Sequence, residues 1–117
     1  MKFQIQPEET YNLLTVNIEK LDSAVAPELK SQIVVATNTG EDTDLIMDLT
    51  KVSFADSSGL SAILLAFRIC RDAGNHLVIF GVQNRIMKLL EISRLTESLT
   101  IVNTLDEAIV VLDEVQS

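Results

Sequence analysis

The residues most capable of chemistry stand together in "ADSSGLS", residues 55–61, where Asp56, Ser57, Ser58 and Gly59 open an apolar, helix-forming run. A carboxylate beside two hydroxyls suits nucleophilic catalysis only when a base and an oxyanion site accompany it. A serine hydrolase sets its nucleophile in a G-x-S-x-G elbow, yet neither Ser57 nor Ser58 has a glycine two positions before it. The single histidine, His76, falls at the start of the following strand, which a parallel arrangement puts at the other end of the sheet. No G-x-x-x-x-G-K-S/T phosphate loop is present, and four scattered glycines do not supply G-x-G-x-x-G. Asp22, Asp48 and Asp56 can be neighbours in space but lack the spacing of a metal site. A two-component receiver would use Asp48 as its acceptor. It would also need an acidic pair near "NIEKLD" and a Lys after "LTIV", and the sequence has neither. The expectation is a protein that is not an enzyme and holds no metal or cofactor.

The elements that must position this turn follow from hydrophobic periodicity. "KFQIQ" (2–6) and "YNLLTVNI" (11–18) read as strands, joined through "PEET" as an antiparallel pair. "LDSAVAPELKSQIVVATNTG" then takes helical spacing through Val25, Leu29, Ile33 and Ala36, with Asp22 or Ser23 as cap and Gly40 past the end. "TDLIMDL" (43–49) and "HLVIFGV" (76–82) are apolar runs of the kind expected in strands covered on both faces. Between them, roughly Ser57 to Ala73, a helix carries Leu60, Ile63, Leu64, Phe67 and Cys70 on one stripe, with Gly74 as its stop. "NRIMKLLEISRL" adds a helix with Ile86, Leu89 and Leu90 inward and Glu91 and Arg94 spaced for an ion pair. "LTIV" (99–102) is a fifth strand. A last helix opens on the Thr104–Glu107 capping box and buries Leu105, Ala108, Leu112 and Val115. Strand–helix alternation predicts an α/β domain over residues 1–117: a mostly parallel sheet of about five strands, led by one antiparallel strand, with about four helices.

In such sheets functional groups gather where strands exit into helices. Four turns qualify, and only residues 50–58 concentrate reactive side chains. Ser57 is well placed to cap the helix through the N–H of Gly59 or Leu60, which is the ordinary structural role of serine there. Gly59, a poor helix former, implies close backbone approach by a neighbouring strand or an outside partner. The functional alternative is a phosphorylation switch, since a helix N-terminus can hold a phosphate. Arg68, Arg71 and Arg85 read as solvated charges, and Cys70 as a core residue.

Composition narrows the partners. With 117 residues, 47% apolar and 4% aromatic, the chain fits one aliphatic core. A net charge of −8 opposes nucleic acid and anionic membrane surfaces. One cysteine allows no internal disulfide, the first residues lack the apolar run of a secretory signal, and no stretch is long enough to span a bilayer. The cytoplasm is the expected location.

"DLTKVSFADSSGL", followed by the amphipathic helix, "DAGNHLVIFGV" and "IMKLLEISRL", resembles the STAS domain of bacterial anti-sigma factor antagonists, and "KLDSAVAPELK" matches that family's earlier LD turn and first helix. The resemblance covers nearly the whole chain. It implies a protein that binds a serine kinase doubling as an anti-sigma factor and is released when that kinase phosphorylates the serine of a D-S-S/T-G turn. A metal-dependent serine phosphatase resets it. Carried over by motif, Ser57 is the phosphoacceptor, Asp56 orients its hydroxyl, Ser58 supports the turn and Gly59 lets the kinase approach. Leu21, Asp22 and Ser23 lie beside them on the binding face. Family members often carry a glycine two residues before the LD pair, where this chain has Glu19. Other STAS domains are constitutive subunits or scaffolds, in lipid-transport ATPase complexes for example, and that is the alternative role.

Overall fold

A computed structural model describes residues 1–38 and 43–116 of the chain. β1 (Phe3–Pro7) and β2 (Tyr11–Val16) form the leading hairpin, with Phe3 opposite Val16. There follow β3 (Lys20–Leu21), α1 (Ala26–Thr37), β4 (Asp44–Asp48), β5 (Phe54–Ala55), α2 (Ser57–Asp72), β6 (Leu77–Phe80) and α3 (Asn84–Ile92). A single 3-10 turn (Leu95–Glu97), β7 (Thr100–Val102) and α4 (Leu105–Gln116) complete the chain. The main sheet runs β1-β2-β4-β6-β7, antiparallel at its first pair and parallel thereafter. The α/β architecture read from periodicity is therefore the one observed, with β1 displaced by one residue and the other four sheet strands slightly shorter than their apolar runs.

Side-chain alternation along the strands divides the core. Leu45 and Met47 of β4 pack with Leu29, Ile33, Ala62, Ile63, Ala66, Ile86 and Leu90, so α1, α2 and α3 cover one face. Ile46, between them in sequence, points the other way and packs with Val78, Phe80, Ala108 and Leu112, placing α4 on the opposite face. This explains why β4 and β6 read as unbroken apolar runs: both of their faces are buried.

Several expectations are corrected. The N-cap of α1 is Val25, without a side-chain cap, rather than Asp22 or Ser23. Asp22 instead closes the preceding turn: its Oδ1 accepts from the Ala24 N–H at 3.0 Å, and its carbonyl accepts from the Val25 and Ala26 N–H groups. Gly40, expected past the end of α1, lies outside the described residues. Val115 is 47% exposed, because the apolar face of α4 has run beyond the edge of the sheet by its last turn. Glu91 and Arg94 form no ion pair. The helix ends at Ile92, and Arg94 follows in the left-handed region at φ 61°.

Polar and close backbone contacts organise both ends of the strands. At the N-terminal ends, buried Asp44 accepts from the His76 N–H at 2.7 Å, and buried Asn12 donates to the Ala36 carbonyl at 2.7 Å. At the C-terminal ends, Gly81 has φ +76°, and a Cβ there would lie 2.1 Å from the Thr50 methyl, so the exits of β4 and β6 close on each other. The Gln83 amide reinforces this by donating to the Thr50 carbonyl at 2.9 Å.

Cys70 is buried in the α2 stripe, where burial, with a smaller contribution from Asp44, pushes its thiol up to about 11. The folded state therefore holds the thiol proton through a pH range in which the unfolded chain, near 9.0, has released it. Two outcomes follow. Thiol-disulfide reagents at pH 8 should label Cys70 slowly in buffer and rapidly in denaturant. Stability should also fall between about pH 9 and 11, and Cys70→Ala should flatten that decline.

Candidate functional site

The helix entrance is built by one carboxylate. Asp56 is the N-cap of α2, with extended backbone, and its Oδ1 accepts from the Ser58 N–H at 2.9 Å and the Gly59 N–H at 3.1 Å. This displaces Ser57 from the capping role expected of it. A carboxylate is a stronger acceptor than a hydroxyl and has a second oxygen to spare. That second oxygen, Oδ2, accepts from the Ser23 N–H at 3.2 Å, 33 positions earlier in the chain. Ser57 becomes the first residue of the helix, exposed, with its hydroxyl in no hydrogen bond among the described residues.

The same turn is tied to the earlier one by a second, two-stranded sheet. β3 pairs in parallel with β5, Leu21 opposite Ala55, and the Asp56 N–H donates to the Leu21 carbonyl at 3.3 Å. Gly59 completes the fit. A Cβ on it would fall 2.3 Å from the Leu21 carbonyl oxygen and 2.9 Å from that leucine's Cγ. Of the two causes considered for this glycine, the close neighbour observed is the strand.

All seven residues singled out from the sequence are thus brought into one corner, but they do different things. Leu21 and Gly59 are buried and hold the two turns together. Asp22, Asp56 and Ser58 are half-buried, while Ser23 and Ser57 face solvent. The helix amides that would otherwise hold a phosphate are already partly occupied by Asp56. A phosphate on Ser57 would therefore stand beside that carboxylate rather than replace it.

Two features of the corner were not read from the sequence. β3 and β5 have two residues each, too few to show alternation. Ser57 also lines a groove of about 400 Å³ with Leu60, Ser61, Leu64, Arg68, Ser93 and Leu95. Arg68 is exposed, as expected of a solvated charge, and it lines this groove; the spacing 57, 61, 64, 68 along one helix face is the signal for the groove. Asp48 is engaged by the N–H and hydroxyl of Thr50 at 2.9 and 2.8 Å. Among the described residues no three His, Cys, Asp or Glu side chains cluster. A cleft of about 330 Å³ at the far end of the sheet includes Arg71 and His76, but these face Asp72 at 3.1 Å and Asp44 at 3.5 Å.

Residues 4–108 match the STAS domain. The chain belongs to the STAS domain family. A relative named anti-sigma-B factor antagonist, from Listeria monocytogenes, is 31% identical over 103 residues, covering 88% of this chain and 90% of the relative. The STAS domain protein of Planctomyces limnophilus has the same fold, with a TM-score of 0.87 at 14% identity, covering 95% of this chain and 97% of that one. The Bacillus cell fate determinant SpoIIAA, solved in its phosphorylated form, superposes with a TM-score of 0.70 at 22% identity, over 92% of this chain and 96% of that one. In this STAS domain no helix among the described residues is long and apolar enough to cross a membrane.

The joined turns should be sensitive to both of their fasteners. Asp56→Ala removes three accepted hydrogen bonds and should cost about 1–2 kcal/mol by urea denaturation, as for loss of a strong N-cap. Gly59→Ala forces a methyl into the Leu21 carbonyl and should cost about 1–3 kcal/mol. Ser57→Ala, exposed and unbonded, should change stability by less than about 0.5 kcal/mol.

Proposed function

We propose that this protein is an anti-sigma factor antagonist, switched by phosphorylation of Ser57. In its unphosphorylated form it docks on a serine kinase that is also an anti-sigma factor, in the cytoplasm, and so frees the sigma factor. The observation that carries this reading is the Ser57 hydroxyl: exposed, in no hydrogen bond among the described residues, and rigidly presented by the Asp56 clamp. The name of the Listeria monocytogenes relative supports the role.

The chemistry of the switch belongs to the partner. Ser57 Oγ attacks the γ-phosphorus of the kinase's ATP, the bond to the β-phosphate oxygen breaks, ADP leaves and the hydroxyl proton passes to a base on the kinase. A serine phosphatase reverses the state by transferring the phosphoryl group to water. What this chain supplies is geometry. Asp56 fixes the first turn of α2, so the nucleophile is offered at a set position without ordering cost at the moment of transfer. Ser23 and the edges of Asp22, Asp56 and Ser58 form the surrounding contact surface, while Leu21 and Gly59 act beneath it.

Release follows from charge. Phosphoserine adds about −1.5 to −2 charges. Placed beside Asp56 and Asp22, these charges must be desolvated when the partner closes over the turn, which weakens the complex without refolding either protein.

The reading is tested by incubating the protein with the anti-sigma serine kinase of its own organism and ATP, then mapping the phosphate by mass spectrometry. The modification should lie on Ser57 and vanish in Ser57→Ala. Ser57→Asp should bind the kinase at least about tenfold more weakly, although one carboxylate imitates a dianion only in part. Undiminished phosphorylation of Ser57→Ala would refute the assignment.

A further inference from the structure

The cations of this acidic chain are unevenly placed. Between Lys51 and Arg94 there are six Lys and Arg against three Asp and Glu, whereas the rest of the chain has three against fourteen. That segment builds β5, α2, β6 and α3; of its cations Arg71 pairs with Asp72 at the far end of the sheet, while Arg85 and Lys88 lie on α3. Between β5 and α3 lies a groove of about 500 Å³ lined by Phe54, Ala55, Asn84, Arg85, Lys88 and Leu89, with two cations and no carboxylate. Phe54 is 39% exposed there, one of few large apolar side chains on the surface. Arg85 and Lys88 are three positions apart on the exposed side of α3, and neither enters an ion pair among the described residues. Lys20 stands opposite Phe54 in the β3–β5 pair and adds a third cation near the groove, with Glu19 beside it in sequence.

We propose that this groove receives an acidic amphipathic segment of the protein partner, an apolar side chain resting on Phe54 and Leu89 and carboxylates facing Arg85 and Lys88. The inference rests on the functional reading above and extends it: Ser57 is the switch, and α3 carries a separate determinant of recognition. The net charge of −8 does not prevent this, because at physiological salt the screening length is about 8 Å and the local patch governs contact. Two or three cations neutralise few phosphates, which disfavours nucleic acid as the occupant. Ala55 lies in the groove and directly precedes Asp56, so a segment seated there ends beside Ser57. Phosphate on Ser57 would then repel carboxylates already docked, in addition to its desolvation cost.

The test measures affinity for the same kinase by calorimetry at 50 and 300 mM salt, using wild type, Arg85→Glu/Lys88→Glu and Phe54→Ser. The changed residues are exposed, and thermal melts should confirm that each variant folds. Wild-type affinity should fall with salt. The double reversal should weaken binding at least about tenfold at low salt and flatten the salt dependence, as expected for paired interface charges. Phe54→Ser should weaken it at both salts. Ser57 should still be phosphorylated in both variants at saturating concentration, with KM raised and kcat unchanged. Variants binding within twofold of wild type would overturn this inference and leave the functional reading standing. Failure of wild type to bind the kinase would overturn both. Equally tight binding of wild type to duplex DNA would overturn the assignment of a protein occupant.

Discussion

A single carboxylate does three jobs at the corner where this protein offers its hydroxyl. Asp56 closes the first turn of α2 through the Ser58 and Gly59 amides and reaches the Ser23 amide with its second oxygen. No other ionisable type could do this as well. A hydroxyl has one oxygen, and a glutamate would have to order an extra methylene to reach the same amides. Once Asp56 holds both turns, β3 and β5 can pair although each is only two residues long, and Gly59 can settle against the Leu21 carbonyl. The rest of the site depends on that junction. Ser57 is rigid because its neighbour is bonded on both sides, and it is free because its neighbour has taken the capping role.

The fold keeps this corner apart from its other polar features. Parallel strands put all their carboxyl ends on one side, where β4 and β6 exit past Thr50 and Gly81. The amino ends carry Asn12, Asp44 and His76, whose hydrogen bonds fasten α1 to β2 and β4 to the segment entering β6. Buried polar groups of this kind stabilise only when satisfied, and here each bonds a backbone group. The sheet thus has a structural end and a presenting end. Ser57 stands at the second of these, and the aliphatic core between the two holds the scaffold in shape.

Much of this was legible from residue order. The alternation of Leu14 and Val16, the unbroken runs of β4 and β6, and the helical stripes on α1 to α4 each show a period long enough to read. The junction was less so. β3 and β5 are too short for any period, and the bond from Asp56 to Ser23 joins residues 33 positions apart. Ser57 was read as the cap because serine and aspartate are nearly equal in that role. What separates them is the need to satisfy a second amide, and only tertiary structure reveals that need. Gly59 gave a partial signal: a glycine one turn into a helix must be answering a close neighbour, but the neighbour's identity was open. The same limit applied to the groove beside Ser57, whose far side comes from Ser93 and Leu95, remote in sequence from α2.

The arrangement also sets what the carboxylate beside this serine is used for. A catalytic carboxylate must be free to accept a proton or to orient a base, and Asp56 spends its acceptor capacity on three backbone amides. The amides of the first turn, which could have formed an oxyanion site, are the ones it consumes. The Ser57 hydroxyl beside it is left exposed, at a position that the first turn of α2 already fixes.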